Sequence, residues 1–302
     1  MQRLRKNQFQ LSEQQERARY LLIEQLKKDP LVHRFIQSHN LPLRIVEKNA
    51  SLFAAYTETI RKCQGCQGIQ MCAQPIPGRF QSLDVDEQGF LCDIYKPCKY
   101  EKMKQKQYGH QKRFKIFYGS PSNFLIDFEK IDLTEESDEY TQSYMALIDS
   151  LDTEKGIYLY GKPGAGKTYL LWAVGNRMAK EGKTISFVHI PSCIQEIKQN
   201  IQDSQFRNQM ISKMKFCDVL IADDIGSESI SPWTRDEILF PILEYRMNNH
   251  LKTYFSSNYT LLELEDQYAS LNEVNSRVAS QRFMERIKSA SLPCQLIGDS
   301  RR

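Results

Sequence analysis

The sequence predicts a two-domain α/β protein. A C-terminal domain is built on a parallel sheet of about five strands, and a small helical, zinc-binding domain precedes it. Three observations carry this expectation. Apolar strand runs alternate with helical segments through the second half, five of the eight cysteines crowd into the 36 positions from Cys63 to Cys98, and the charge changes sign between the halves. Residues 1–120 hold 21 basic against 11 acidic residues, and residues 121–302 hold 20 against 26. The chain as a whole carries only +4. At 302 residues, with 41% apolar and 26% charged residues, it has enough material for two buried cores. No run of about 18 apolar residues occurs. The first thirty residues lack the apolar block and small-residue cleavage site of a signal peptide, so a cytoplasmic protein without membrane contact is expected.

The front domain, residues 1–100, opens with apolar positions at helical spacing: Leu22, Ile23 and Leu26, then Val32, Phe35 and Ile36. Asp29-Pro30 interrupts them and starts a second helix. A further helix, "SLFAAYTETIRK", leads into Cys63, and "RFQSLDV" and "GFLCDIY" around Asp86–Gly89 read as a β-hairpin. Clustered cysteines in a chain without an export signal point to metal ligands rather than disulfides. Cys193, Cys217 and Cys294, scattered through apolar segments, read as buried small hydrophobes.

Residues 101–122, "EKMKQKQYGHQKRFKIFYGSPS", form a basic segment expected to be a linker. Its Tyr108, Phe114, Phe117 and Tyr118 stand among six basic residues. They could stack on nucleic-acid bases, but packing of a tether against the following domain is preferred. From 123 to 302 the strand runs "GIYLYG", "TISFVHI", "DVLIAD", "KTYFSSN" and "CQLIG" alternate with helices, the pattern of a parallel sheet covered on both faces. Such sheets bind ligands beyond the carboxyl ends of their strands.

At the end of the first strand stands "GKPGAGKT", a complete phosphate-loop motif in strand–loop–helix context. Gly161, Pro163, Gly164, Ala165 and Gly166 let backbone N–H groups encircle phosphate oxygens at the start of a helix, whose dipole adds positive charge. Lys167 reaches the β- and γ-phosphates of ATP, and Thr168 places its hydroxyl on Mg²⁺. At the tip of "DVLIAD" the adjacent Asp223 and Asp224 fit two further needs of such a site, Asp223 holding the hydrated metal and Asp224 orienting the attacking water. Asn258, at the tip of "KTYFSSN", is placed to sense a γ-phosphate.

With these motifs, "PWTRDEIL", "FSSNY" and "RFMERI" give the chain a resemblance to the bacterial replicative-helicase loaders of the primosomal DnaI type. These are relatives of DnaC and of transposon helper ATPases within the AAA+ class. The resemblance covers nearly the whole chain, including the front domain and "YKPC". It implies an AAA+ ATPase domain and ATP hydrolysis. It also implies a front domain that grips the replicative helicase hexamer, contact with single-stranded DNA, and self-association through the ATPase domain. It further implies that Asn258 is the sensor, that Arg286 is an arginine finger, and that Arg301 is a further phosphate sensor. Arg282 and Arg286, four apart and on one helical face, could instead be a solvated pair. Only 44 residues follow Asn258, too few for both a lid and a separate DNA-reading domain, which suits a loader.

Relatives usually offer a histidine between the Cys-x-x-Cys pair and the last cysteine, but no histidine lies between Cys63 and Cys98 here. Cys63, Cys66 and Cys98 are therefore expected to be joined by a fourth thiolate, with Cys72 preferred over Cys92. Four sulfurs describe a structural zinc site. Two other functions share the motifs: a transposition helper ATPase, which has no obvious need of the front domain, and a non-hydrolysing ATP-binding switch, against which the acidic pair counts.

Overall fold

In the computed structural model, described for residues 12–270 and 275–298, the chain forms two compact units that divide between Lys106 and Gln107. The first unit begins with α1 (Glu13–Lys28), whose N-terminus is closed by a reciprocal Ser12–Gln15 capping box. Asp29 ends α1 and caps α2 (Pro30–Ser38), accepting the Leu31 N–H at 2.8 Å, and Pro30 sits in the first turn, where its missing N–H costs nothing. A short α3 (Ile45–Lys48) leads to α4 (Ala50–Lys62). The expected hairpin follows as β1 (Arg79–Val85) and β2 (Leu91–Pro97), paired antiparallel from Arg79–Pro97 to Val85–Leu91. Val32, Phe35, Phe53 and Leu83 close a small core between the helices and the hairpin.

The segment expected to be a basic linker is structured. It contributes α5 (Lys99–Tyr108) and β3 (Phe114–Phe117). In "FKIF" the apolar positions alternate, so Phe114 and Ile116 turn inward while Lys115 and Phe117 stay exposed. Phe114 stacks on Trp172 at 5.6 Å and meets Phe124 edge-on at 5.0 Å. This strand period makes the segment the edge of the second unit's sheet and gives that sheet six strands where about five were expected.

The rest of the second unit is α6 (Asp138–Asp149), β4 (Gly156–Tyr160), α7 (Lys167–Lys180), β5 (Ile185–His189), α8 (Ile190–Gln199), α9 (Ser204–Phe216) and β6 (Val219–Asp223), in chain order. A π-helical turn (Trp233–Leu239) then runs into α10 (Phe240–Asn248), followed by β7 (Lys252–Ser257), α11 (Leu261–Ala269), α12 (Ser276–Ala290) and β8 (Ser291–Gln295). The strand order is β3-β5-β6-β7-β4-β8, and all described pairings are parallel. Because helices cover both faces, β6 is buried at all five positions, as its unbroken apolar run requires. One core layer contains Leu147, Trp172, Phe187 and Tyr254, and the other contains Ile194, Ile197, Phe255 and Phe283. Trp172 is fully buried and stacks on Phe187 at 4.2 Å, so truncating it to alanine would cost about 3–5 kcal/mol. The carboxyl ends of β4, β5, β6 and β7 open on one edge of this sheet. No helix among the described residues is long and apolar enough to cross a membrane.

Candidate nucleotide site

The phosphate loop leaves β4 at Gly161, whose φ is +152° and whose added Cβ would stand 2.3 Å from the Leu296 carbonyl oxygen. Only glycine fits there, because the chain after β8 closes against the strand end, with the Leu296 N–H donating to the Tyr160 carbonyl at 2.7 Å. Gly166, at φ +97°, caps α7 and turns the loop into the helix. Pro163, Gly164, Gly166, Lys167 and Thr168 line a cleft of about 740 Å³, while Ala165 is buried beneath it.

Lys167 is itself buried. Its ammonium donates to the Gly161 carbonyl at 2.7 Å, to the Lys162 carbonyl at 3.0 Å and to Asn258 Oδ1 at 2.8 Å. A buried cation needs such partners, and the loop carbonyls hold it at the point where phosphate oxygens would arrive. The Thr168 hydroxyl donates to both oxygens of Asp223 at 3.0 and 3.1 Å, and the Ser256 hydroxyl donates to Asp223 Oδ1 at 2.5 Å. Burial pushes the Asp223 carboxyl upward, against those two hydroxyl bonds. A carboxylate so placed gains by neutralising a cation, and with Thr168 it forms a hard-oxygen pair suited to Mg²⁺.

Asp224 leaves the strand in the left-handed region at φ +59°, a conformation that a short polar side chain tolerates. The turn brings its carboxylate back over the cleft. Its N–H donates to Ser256 Oγ at 2.9 Å, and its Oδ1 accepts from Ser227 Oγ at 2.9 Å and Asn258 Nδ2 at 3.1 Å. Its Oδ2 faces His189 Nε2 at 3.8 Å. The imidazole beside it holds the Asp224 carboxyl below the usual carboxylate range, and in return Asp224 raises His189 above the ordinary imidazole value. The two acids are thus pushed in opposite directions, which suits different tasks. Tyr118, Gly119, Asn123 and Tyr169 also line the cleft, with the buried Trp172 packed behind Gly119.

Lys167, Thr168, Asp223, Asp224 and Asn258 therefore converge. Arg286 does not line this cleft. On α12 its guanidinium pairs with Glu244 and Glu285, each at 3.1 Å, and lies over the Phe240 ring at 5.0 Å, with Arg282 over the same ring at 5.2 Å. Arg301 lies outside the described residues. Sequence reasoning missed Ser256 and His189. Ser256 lies near the end of β7, two residues before Asn258, and His189 is the polar tip of "TISFVHI", opposite Asp223 in the β5–β6 register.

In the first unit Cys63, Cys66, Cys72 and Cys98 line one cavity of about 320 Å³. Cys92 is not part of its lining and instead approaches the Asp84 carbonyl on the hairpin at 3.6 Å. Gln74 Nε2 donates to the Cys63 sulfur at 3.3 Å and the Glu101 N–H to the Cys98 sulfur at 3.4 Å. N–H bonds to sulfur of this kind support thiolate ligands, so the donor set fits zinc by its chemistry. The side chains as placed do not close into a ligand cluster: among the described residues no three His, Cys, Asp or Glu groups stand in a metal-holding arrangement.

The family described as "IstB-like ATP binding protein" matches residues 106–277. The replicative helicase loader DnaI of Bacillus subtilis (strain 168) is 29% identical over 286 residues, spanning 92% of this chain and 91% of that protein. A crystal structure of DnaI is 30% identical, superposes with a TM-score of 0.54, and spans 64% of this chain and 99% of its own. A solved chain from Streptococcus pyogenes serotype M3 is 32% identical with a TM-score of 0.53, spanning 66% of this chain and 100% of its own.

Proposed function

Since the chain belongs to the IstB-like ATP-binding protein family and is of the DnaI helicase-loader type, we propose that it loads the replicative DNA helicase onto single-stranded DNA during primosome assembly, at the expense of ATP. The observation that carries this reading is the extent of the similarity. The relation to DnaI runs through both units, over 92% of the chain, whereas a transposition helper ATPase would share only the nucleotide-binding part. That alternative is not favoured. Hydrolysis, rather than binding alone, is supported by the second carboxylate, Asp224, which a pure switch would not need.

In the proposed mechanism Lys167 and the loop N–H groups bind the β- and γ-phosphates, and Tyr118 and Tyr169 on the cleft lining take the base. Thr168 and Asp223 hold Mg²⁺, which neutralises charge on the phosphates when bound. Asp224 orients the attacking water, and Asn258, already bonded to both Lys167 and Asp224, registers the γ-phosphate by exchanging one of these partners for it. Arg286 acts in trans on ATP held by a neighbouring copy. This requires it to leave Glu244, so self-association and finger release are linked. Cys63, Cys66, Cys72 and Cys98 hold a structural zinc that shapes the front unit for the helicase hexamer, and the protein works in the cytoplasm. Co-purification with the replicative helicase of the same cell tests the partner. Retention of the full chain by that helicase is expected, and retention by a transposase in its place would overturn the reading.

A further inference from the structure

We propose that His189 is a positioning residue of the ATPase site, which holds Asp224 Oδ2 through its Nε2–H and so sets the carboxylate that orients the attacking water. The inference rests on the reading of Asp224 given above. Its basis is the way α8 begins. His189 is the N-cap of that helix, and its Nδ1 accepts the Ser192 N–H at 3.4 Å and lies 2.8 Å from the Ser192 hydroxyl. The Asp224 carboxylate opposite Nε2 favours an N–H at that nitrogen, both in the neutral tautomer that leaves Nδ1 to accept from Ser192 and in the protonated ring, whose Nδ1–H donates to the Ser192 hydroxyl. Nε2 faces Asp224 Oδ2 at 3.8 Å, on the wall of the nucleotide cleft. The contacts to Ser192 thus set the direction of the ring.

The other carboxylate oxygen is already committed. Asp224 Oδ1 accepts from Ser227 and Asn258, and the backbone N–H of Asp224 is held by Ser256. Rotation about the last side-chain bond remains, and a donor at Oδ2 removes it. A separation of 3.8 Å exceeds a hydrogen bond, but contacts of this kind tighten when substrate fills the site. The charged groups around the pair are Asp223, beside His189 in the strand register, and Lys167, which reaches Asp224 through Asn258.

Two substitutions separate this role from helix capping. His189→Asn keeps a good cap acceptor near the Nδ1 position but cannot reach Asp224. His189→Gln loses the cap geometry but carries an amide N–H to about the Nε2 position. Single-turnover ATP hydrolysis by the full chain, nucleotide affinity and thermal midpoint would be measured for both, beside Asp224→Asn. The expected result for His189→Asn is an unchanged affinity and midpoint with hydrolysis slowed by up to on the order of 10²-fold, the scale of loss when a reacting group shifts by about 1 Å. His189→Gln is expected to recover most of the rate despite a lower midpoint. Wild-type hydrolysis by His189→Asn, or equal losses in both variants, would overturn the proposal while leaving the Asp224 reading intact. Wild-type hydrolysis by Asp224→Asn would overturn that reading and the proposal with it.

Discussion

Lys167 and Asp224 belong to one bonded chain, joined through Asn258, yet they meet the nucleotide at different stages. In the proposed mechanism Lys167 contacts phosphates in the ground state as well as the transition state, so Lys167→Ala is expected to weaken ATP binding itself. Asp224, in the same proposal, acts on the water only as bonds change, so Asp224→Asn is expected to bind ATP as wild type does and to hydrolyse it slower by about 10²- to 10⁴-fold, the usual contribution of a group that handles a proton in the transition state. Equilibrium binding of a fluorescent ATP analogue and steady-state phosphate release distinguish the two. Equal losses of binding in both variants would refute this division. The opposite pKa displacements of Asp223 and Asp224 belong to the same scale. Adjacent in sequence, they differ because Asp223 ends the strand in a buried position, whereas Asp224 turns out of it at positive φ and meets the His189 imidazole.

At the scale of elements, the motifs were legible wherever a short stretch of sequence makes its own structure. The phosphate loop, the acidic strand tip, the Asp29-Pro30 helix junction and the hairpin around Asp86–Gly89 all depend on neighbours within a few residues. What stayed hidden depends on residues distant in the chain. Ser256 and His189 enter the site only through strand register, and β3 reads as a charged linker until its Phe114 meets Trp172, far along the sequence. Composition marks that segment as a basic tether whose aromatics pack on the following domain, and the alternation of Phe114 and Ile116 makes the packed part a strand. Arg286 is singled out by the family resemblance alone, and its partner Glu244 on α10 could not be read from spacing. One zinc per chain is expected by elemental analysis. Chelation of the full chain should unfold the first unit, whose small core cannot replace a structural metal, while leaving ATP binding in the second unit unchanged. A protein that contains no zinc, or a Cys63→Ser variant with an unaltered melting profile, would count against the thiolate site.

For the whole molecule, the account requires more than one copy. The cleft holds a lysine, two carboxylates and Asn258, but among the described residues no arginine lines it. Arg286 is paired with Glu244 and Glu285 in its own chain. Lys167→Ala and Arg286→Ala are each expected to be nearly inactive, since arginine fingers contribute about 10³ to 10⁵ in rate. Mixing them in the presence of helicase should restore part of the hydrolysis, because one supplies the arginine and the other the nucleotide. Joint oligomers that show no recovery at any ratio would leave Arg286 as a clamp between α10 and α12. The claim on which all of this depends is that the chain transfers helicase to DNA under the control of ATP, and the direct measurement is the amount of replicative helicase retained on circular single-stranded DNA after free protein is removed. The account predicts that the wild-type chain with ATP raises this amount well above helicase alone, and that Lys167→Ala does not. Equal retention with the wild-type chain, with Lys167→Ala and with no added chain would contradict it.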